Sequence, residues 1–182
     1  MKDIFQTAAA PSNPVVAYTD GKIIRAADFE NNSTVFEISL RHQAPTHFPI
    51  LLRFSPNSRQ LLSAGSDGVA YLWDLAAYAE SNALGPTERP LALIAHASRI
   101  TAVAFSTSGR YIATGSGDGT IMVWDASGGG RAIRRLLEIR VHEHEITSLL
   151  FFTRPDGSLW LASVSPDRVW TARWAELLEI VP

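Results

Sequence analysis

The chain has 182 residues, of which 46% are hydrophobic, so it is long enough to bury a hydrophobic core. Its formal net charge of -2 argues against the strongly basic surface that nucleic acids or anionic membranes attract. The absence of cysteine excludes disulfide bonds and thiolate metal sites, and the first residues lack the apolar run of a signal peptide. These features predict a soluble intracellular protein, cytoplasmic or nuclear, with no membrane association.

The first predicted unit spans residues from about 1 to 40 and contains the stretch VVAYTDGKIIRAAD at 15–28. It indicates two short strands joined by a turn at Asp20-Gly21. Ala26 and Ala27 stand where the later units have a Trp-Asp pair. The sequence therefore predicts a degenerate copy of a β-unit.

The second unit, from about 46 to 96, contains QLLSAGSDGVAYLWD at 60–74. Its glycine-flanked Asp67 indicates a tight turn between two strands. The segment that follows, DLAAYAESNALG at 74–85, is the one helical candidate, and we predict that it forms a surface connection.

The third unit, from about 97 to 142, aligns with the second without a gap. Residues 111–125, YIATGSGDGTIMVWD, match 60–74 with a hydroxyl residue, a turn aspartate and a Trp-Asp pair in the same places. Apolar residues alternate along 100–106, as in a strand. Repeats of this size predict an array of small units, each of which needs its neighbours to bury its faces.

The fourth unit, from about 143 to 182, matches less well. Arg173 stands at its tryptophan position, and Trp174 follows one residue later. Since a shift of one residue along a strand reverses the side-chain direction, we expect either that Trp174 packs between units or that a bulge restores its place. The final residues LLEIVP, 177–182, are predicted to form the last outer strand.

The third unit resembles the WD-repeat β-propeller family. The resemblance implies an all-β fold, a β-propeller of four-stranded antiparallel blades with about four blades present, in a single domain over residues 1–182. The residues that carry it are Ala95-His96 in place of Gly-His, then Ile100, Val103, Phe105, Thr114, Asp118 and Trp124-Asp125.

Four units are few for this family, and three possibilities stay open at this stage. The chain is part of a larger propeller, it is completed by another copy or by a partner chain, or it closes as a small ring. Unpaired end blades would favour self-association.

The resemblance also implies a buried hydrogen-bonded tetrad of His96, Thr114, Asp118 and Trp124. The indole of Trp124 would donate to Thr114, whose hydroxyl would donate to His96, and the other imidazole nitrogen would donate to Asp118. The histidine, hydroxyl and carboxylate imitate a catalytic triad. A structural role is favoured because the network uses its own donors and acceptors.

Two other units keep parts of this pattern. In the second unit the histidine position falls on Pro45, with His47 two residues late, so the sequence assigns no imidazole to that unit. In the fourth unit His142, Ser163 and Asp167 are all in place.

For function, the resemblance implies a non-catalytic scaffold that binds other proteins or peptides through the top face or the central channel of the propeller. Arginine and aromatic residues dominate the binding energy of protein interfaces, so Arg99 and the apolar pair Phe48 and Ile50 are the best anchors. The positions that correspond to the family's top face are Arg99, Thr101 and Gly117 in the third unit, Glu145, Thr147 and Pro166 in the fourth, and Ser66, Phe48 and Ile50 in the second.

Two other classes of function are weaker. An enzyme would need converging carboxylates or a metal site, and the one candidate cluster, His-Glu-His-Glu at 142–145, shows no third ligand in the sequence. We therefore predict no catalytic residue, metal or cofactor. The arginine-rich segment 131–140 could contact nucleic acid phosphates, but on an outermost strand we expect its charges to protect the sheet edge.

Overall fold

Nearly all of the regular secondary structure in the described chain is β-strand. The computed structural model describes residues 6–20, 23–39, 51–75, 90, 92–128 and 133–179. The helix expected over 74–85 falls almost entirely outside these residues. Within them, four antiparallel sheets follow one another along the chain, and in each sheet the strands are hydrogen-bonded in sequence order. The predicted all-β, blade-like architecture of a partial β-propeller is confirmed.

The described residues fall into two compact units, Met1–Ala95 and His96–Pro182. The first of them holds two four-stranded sheets. The first sheet contains β1 (Gln6–Ala9), β2 (Val15–Thr19), β3 (Ile23–Asp28) and β4 (Ser33–Ser39), and the second sheet contains β5 (Leu51–Phe54), β6 (Gln60–Ala64), β7 (Val69–Asp74) and β8 (Ala92–Ala95).

The second compact unit holds the third and fourth sheets. The third sheet has four strands, and the fourth has three in the described part of the chain. The third sheet contains β9 (Ile100–Phe105), β10 (Tyr111–Ser116), β11 (Thr120–Asp125) and β12 (Arg134–Arg140), and the fourth contains β13 (Ser148–Thr153), β14 (Leu159–Val164) and β15 (Val169–Arg173).

The chain ends its described part in a helix, α1 (Trp174–Glu179), and not in a strand. The outer strand predicted over 177–182 is therefore wrong for residues 177–179, while 180–182 lie outside the described residues. Trp174 and Leu177 are three residues apart, so a helix places both on one face, and both are buried. A strand would have turned them to opposite sides.

The hairpins between the second and third strands of the middle two sheets share one turn. Gly68 and Gly119 occupy the same place in these turns, with φ angles of 77° and 83°, a left-handed conformation that favours glycine. In the third sheet, Gly115 and Ile121 are the paired residues that flank this turn. A Cβ at Gly119 would overlap the carbonyl oxygen of His142, so this turn needs glycine for space as well.

In the fourth sheet the same hairpin pairs one residue earlier. Arg168 stands where Gly119 stands in the third sheet, and its φ is not positive. Val164 pairs with Val169, whereas the third-sheet pattern would have joined Val164 to Trp170. We attribute the shift to the missing glycine, since arginine avoids the left-handed turn conformation. Because of this shift, each side chain of β15 points to the opposite face of the sheet from its counterpart in the third sheet.

This reversal decides where Trp174 lies. Trp170 and Ala172 pack against the core of the second compact unit, and Trp174 continues the same alternation and is 7% exposed. Its ring centroid lies 4.5 Å from that of Tyr111 in the third sheet and 6.0 Å from that of Phe151 in the fourth. Of the two expectations for Trp174, packing between units is confirmed.

Each compact unit has its own hydrophobic core. In the second compact unit, small residues of the third sheet allow the fourth sheet to approach closely. A Cβ on Gly115 would lie 2.8 Å from Cγ2 of Ile146. The buried members of this core are Ala102, Ala104, Ala113, Ile121, Val123, Leu137, Ile146, Leu149, Phe151, Leu161, Trp174 and Leu177. Those of the first unit are Ala17, Ile24, Ala26, Phe36, Ile38, Leu52, Phe54, Leu61 and Trp73.

Candidate functional site

The residues of the predicted tetrad come from strands β10 and β11, from the turn between them, and from His96, which lies four residues before β9. Trp124 Nε1 donates to Thr114 Oγ1 at 3.1 Å, and Thr114 Oγ1 lies 2.6 Å from His96 Nε2. Thr114 is fully buried, and His96 and Trp124 are each 8% exposed. The first two predicted hydrogen bonds are therefore present.

The last link differs from the prediction, because Thr120 stands between the imidazole and the carboxylate. His96 Nδ1 lies 3.3 Å from Thr120 Oγ1, and Thr120 Oγ1 donates to Asp118 Oδ1 at 2.6 Å. The backbone N–H of Thr120 donates to the same oxygen at 3.0 Å. The direct hydrogen bond predicted from His96 to Asp118 is wrong. A signal was available in the sequence: the position two residues after the turn aspartate is threonine here and valine in the second and fourth units.

The hydrogen-bond directions fix one protonation state of the third-sheet network. The Thr120 proton goes to Asp118, so its oxygen accepts from Nδ1–H of His96, and Nε2 accepts from Thr114. Burial lowers the pKa of His96, which favours the neutral ring. Burial also acts to raise the pKa of Asp118, but the hydrogen bonds from Thr120 outweigh it and the pKa is lowered.

The fourth sheet makes the direct histidine–aspartate contact. His142 Nδ1 lies 3.0 Å from Asp167 Oδ1, and His142 Nε2 lies 2.7 Å from Ser163 Oγ. Burial acts to raise the pKa of Asp167, but hydrogen bonds that include the one from His142 lower it to about 2. Arg173 replaces the tryptophan of this sheet, so no indole caps Ser163.

Ser163, His142 and Asp167 are thus arranged like a nucleophile, a base and an orienting carboxylate. Ser163 is fully buried and His142 is 2% exposed, so a substrate has no access to this hydroxyl in the structure. Thr114 in the third sheet is equally buried. The hydrogen-bonded networks around His96 and His142 satisfy buried polar groups and fix the register of the strands that carry them.

The second sheet retains part of the network. Trp73 Nε1 donates to Ser63 Oγ at 2.9 Å, and Asp67 Oδ1 accepts the backbone N–H of Val69 at 3.1 Å. Pro45 and His47 lie outside the described residues.

Three of the residues predicted to bind partners lie together on the second compact unit. Arg99 forms an ion pair with Glu145, and their side chains are 46% and 39% exposed. Gly117 lies against the stem of this arginine, since a Cβ there would come within 3.1 Å of Arg99 Cγ. We call Arg99, Gly117 and Glu145 the charged cluster.

The other predicted positions differ from one another. Thr101 donates its hydroxyl to the carbonyl of Ile146 at 2.6 Å, so this side chain ties β9 to the segment before β13. Thr147 is exposed and bonds to the carbonyl of Val164, and Pro166 is exposed. Ser66 is half-buried, with no hydrogen-bond partner for its hydroxyl among the described residues. Phe48 and Ile50 lie outside the described residues.

The arginine-rich segment forms β12, the outer strand of the third sheet, over its described part. Arg135 pairs with Glu138 at 2.6 Å, and Arg134 lies opposite Asp125 in the strand register. Nearby carboxylates therefore offset part of the positive charge that a nucleic acid would meet.

Neither a metal site nor a membrane span emerges from the part of the chain that the structure describes. No group of three potential ligands among histidine, cysteine, aspartate and glutamate is close enough there to hold a metal ion. In the 142–145 segment, His142 is engaged by Ser163 and Asp167, and Glu145 by Arg99. No helix in the same residues is both long and apolar enough to cross a bilayer.

Comparison with known proteins identifies repeats of one family. The sequence model of the family described as "WD domain, G-beta repeat" matches residues 45–74 and 88–125. Protein HIR1 of Kluyveromyces lactis is 36% identical over 137 residues, which cover 63% of this chain and 15% of that protein. Nuclear distribution protein PAC1 of Arthroderma otae is 33% identical over 128 residues, covering 63% of this chain and 26% of that protein.

A third relative is the guanine nucleotide-binding protein subunit beta of Schizosaccharomyces pombe. It is 25% identical over 138 residues, which cover 73% of this chain and 41% of that protein. The chain thus spans less than half the length of these relatives.

Proposed function

We propose, on the premise that this chain belongs to the WD-repeat family, that it is a non-catalytic scaffold that holds other proteins in a complex. The observation that carries the proposal is the charged cluster. Arg99 and Glu145 remain about half exposed although they are paired with each other, so a partner can reach both charges. Arginine is among the residues that contribute most at protein interfaces.

The distribution of reactive groups supports a binding role. The histidine-centred arrays that imitate catalytic triads have their hydroxyls fully buried, while the charged cluster is accessible. The name of the Schizosaccharomyces pombe relative describes that protein as a subunit of an assembly. We extend this by analogy and propose that the present chain is also a subunit, that it is not an enzyme, and that it works in the cytoplasm or nucleus.

The remaining predicted positions differ in how much they can contribute to partner binding. Thr147 and Pro166 are exposed and can contribute to the same binding surface on the second compact unit, while Ser66 on the first compact unit is half-buried. Thr101 contributes less, because its hydroxyl already bonds within the fold. Phe48 and Ile50 stay predictions from the sequence.

Affinity capture of partners with the 182-residue chain tests the charged cluster. We expect Arg99→Ala and Glu145→Ala to lose proteins that the parent captures, with an unchanged thermal melt. The matched control is Arg110→Ala, since Arg110 is also exposed and also paired, with Asp125 at 3.2 Å. If Arg110→Ala loses the same proteins, or if the parent captures none, the proposed function is wrong.

Self-association through the end sheets is a further part of the proposal. In the described residues the exposed large hydrophobic side chains all belong to the first and fourth sheets or their turns: Phe29, Val35, Leu150, Val164 and Val169. Contact with another copy or a partner chain would cover them. Nucleic-acid binding by 131–140 stays a weaker alternative, since acidic residues lie beside its arginines.

A further inference from the structure

The fourth sheet has one buried face and one exposed apolar face. Leu149, Phe151 and Leu161 on the buried face belong to the core with the third sheet. On the other face, strand pairing aligns three cross-strand rows. The rows are Ser148–Val164–Val169, Leu150–Ala162–Thr171 and Phe152–Trp160–Arg173.

The exposure of this outer face is large for apolar side chains. Leu150 is 57% exposed, Val164 38% and Val169 66%. Within the described part of 96–182 these are all of the exposed large hydrophobic residues, and they share a single sheet face. Apolar residues gathered in this way mark a surface that another chain covers.

Within the described residues, the same sheet also has an edge strand with no neighbour on its outer side. In the other three sheets the third strand pairs with a fourth, as β11 pairs with β12. In the described residues β15 pairs only with β14. The helix α1 that follows buries Trp174 and Leu177 in the core on the opposite face. The outer N–H and C=O groups of β15 are thus a template for an added strand.

The charges at one end of this face determine which kind of strand fits. The guanidinium of Arg154 lies 4.0 Å from the centroid of the Trp160 ring, and Arg173 is the cross-strand neighbour of Trp160. Both arginines are exposed, and neither has a carboxylate within ion-pairing distance among the described residues. Hydrogen bonds from Ser158 lower the pKa of Asp156 in the preceding turn, and the charges of Arg173 and Arg154 lower it further, so this one carboxylate offsets part of the positive charge of the two arginines.

We propose that the outer face and free edge of the fourth sheet bind an extended segment of a partner protein, which adds antiparallel to β15. An acidic residue of the segment lies opposite Arg173, and an apolar residue four positions later lies opposite Val169. The antiparallel direction follows the pairing of every described sheet. The charge requirement follows from Arg154 and Arg173, and the apolar requirement from Val164 and Val169. This inference rests on the proposed protein-binding function and adds a second surface to it.

Fluorescence anisotropy with a labelled synthetic peptide tests the proposal. The peptide has about nine residues, the length of a strand with its flanks, with two glutamates near its N-terminal end and alternating valines after them. We expect saturable binding to the 182-residue chain that weakens as salt is added. Arg173→Glu and Val169→Asp should each weaken binding by about tenfold or more.

Matched controls separate this surface from general stickiness. Phe29→Asp removes a side chain that is 64% exposed in the first compact unit, and we expect it to leave peptide binding unchanged. A peptide with lysines in place of the glutamates should bind about tenfold more weakly or not at all. A peptide with proline at alternate positions should fail, since proline cannot donate to the strand ladder. Unchanged thermal melts of the exposed-site variants show that the fold is kept.

Three results would overturn the inference. The first is equal binding of the glutamate and lysine peptides, and the second is an equal loss of binding in Phe29→Asp. The third is a concentration-dependent dimer that Val169→Asp disperses, which would make a second copy of the chain the occupant. Each result is separate from the Arg99 and Glu145 capture test, so failure here leaves the proposed function standing.

Discussion

Thr120 shows how one side chain changes a buried network. In the third sheet its hydroxyl joins His96 to Asp118, whereas in the fourth sheet, where Val169 stands at this position, His142 meets Asp167 directly. The two sheets satisfy the same imidazole nitrogen with different acceptors.

We predict that Thr120→Val destabilises the protein by about 1–3 kcal/mol, because the Nδ1–H of His96 loses its acceptor while it stays buried. Urea unfolding measures the loss. Thr107→Val is the matched control, since Thr107 is exposed in a turn, and we expect it to change the free energy of unfolding by less than about 0.5 kcal/mol. Equal effects of the two variants would show that the Thr120 hydroxyl does not hold the network together.

The Asp167 carboxyl gives a pH dependence with a defined sign. Its pKa is lowered from 3.8 to about 2 in the folded protein, so folding favours the ionised form. The contribution is fully present above pH of about 4, the range of the unfolded pKa, and is lost as the pH falls toward about 2. We expect Asp167→Asn to flatten the fall in the free energy of unfolding over this window. Urea titrations at a series of pH values measure it, and an unchanged slope would contradict the assignment.

His96 gives a pH dependence of the same sign as that of Asp167, at higher pH. Its pKa is lowered from 6.5 by burial, so the unfolded chain takes up a proton at a higher pH than the folded protein does. Stability that depends on the neutral ring is therefore present above the unfolded pKa of 6.5 and declines as the pH falls below it.

At the scale of elements, the helix α1 is the clearest departure from expectation. LLEIVP is a short apolar segment, and short apolar runs do not separate strand from helix by periodicity. What decides between them is tertiary: Trp174 and Leu177 both find the core of the third and fourth sheets. The residue types at 177–182 do not by themselves predict this contact with the core.

We predict that Trp174→Ala destabilises the protein by about 3–5 kcal/mol, as expected when a large buried aromatic ring leaves a cavity. Trp174→Phe should cost much less, because the indole N–H has no hydrogen-bond partner among the described residues. Thermal and urea unfolding of the two variants make the comparison. Equal losses would mean that the indole nitrogen has a partner after all.

Strands and turns were the most predictable part of the structure. The Trp–hydroxyl–imidazole contacts of Trp124, Thr114 and His96 are those that the resemblance to WD repeats implies. The relay through Thr120 did not follow from the pattern, since hydrogen-bond geometry inside a turn depends on side-chain rotamers. The mismatch of Arg173 and Trp174 with the repeat predicts that Trp174 packs between units or that a bulge restores its place. The register of β15 and the role of Arg168 in it follow only from the backbone angles and the strand pairing.

For the whole molecule, the open question is how the exposed surfaces of the end sheets are covered. The chain spans less than half of its named relatives, and exposed apolar residues concentrate in the first and fourth sheets. Light scattering over a concentration series measures the solution mass. We expect a defined dimer if copies meet through the first sheet, with Phe29→Asp and Val35→Asp each shifting the chain to monomer and Leu150→Asp leaving the mass unchanged. A monomer at every concentration would contradict self-association.

The position of Trp174 between Tyr111 and Phe151 has a consequence for any shortened form of the protein. A chain that ends at Arg173 would keep every described strand. It would nevertheless remove Trp174 and Leu177, two members of the core that the third and fourth sheets share. The core between the third and fourth sheets therefore depends on these two residues, and such a truncation would leave a cavity where the two sheets meet.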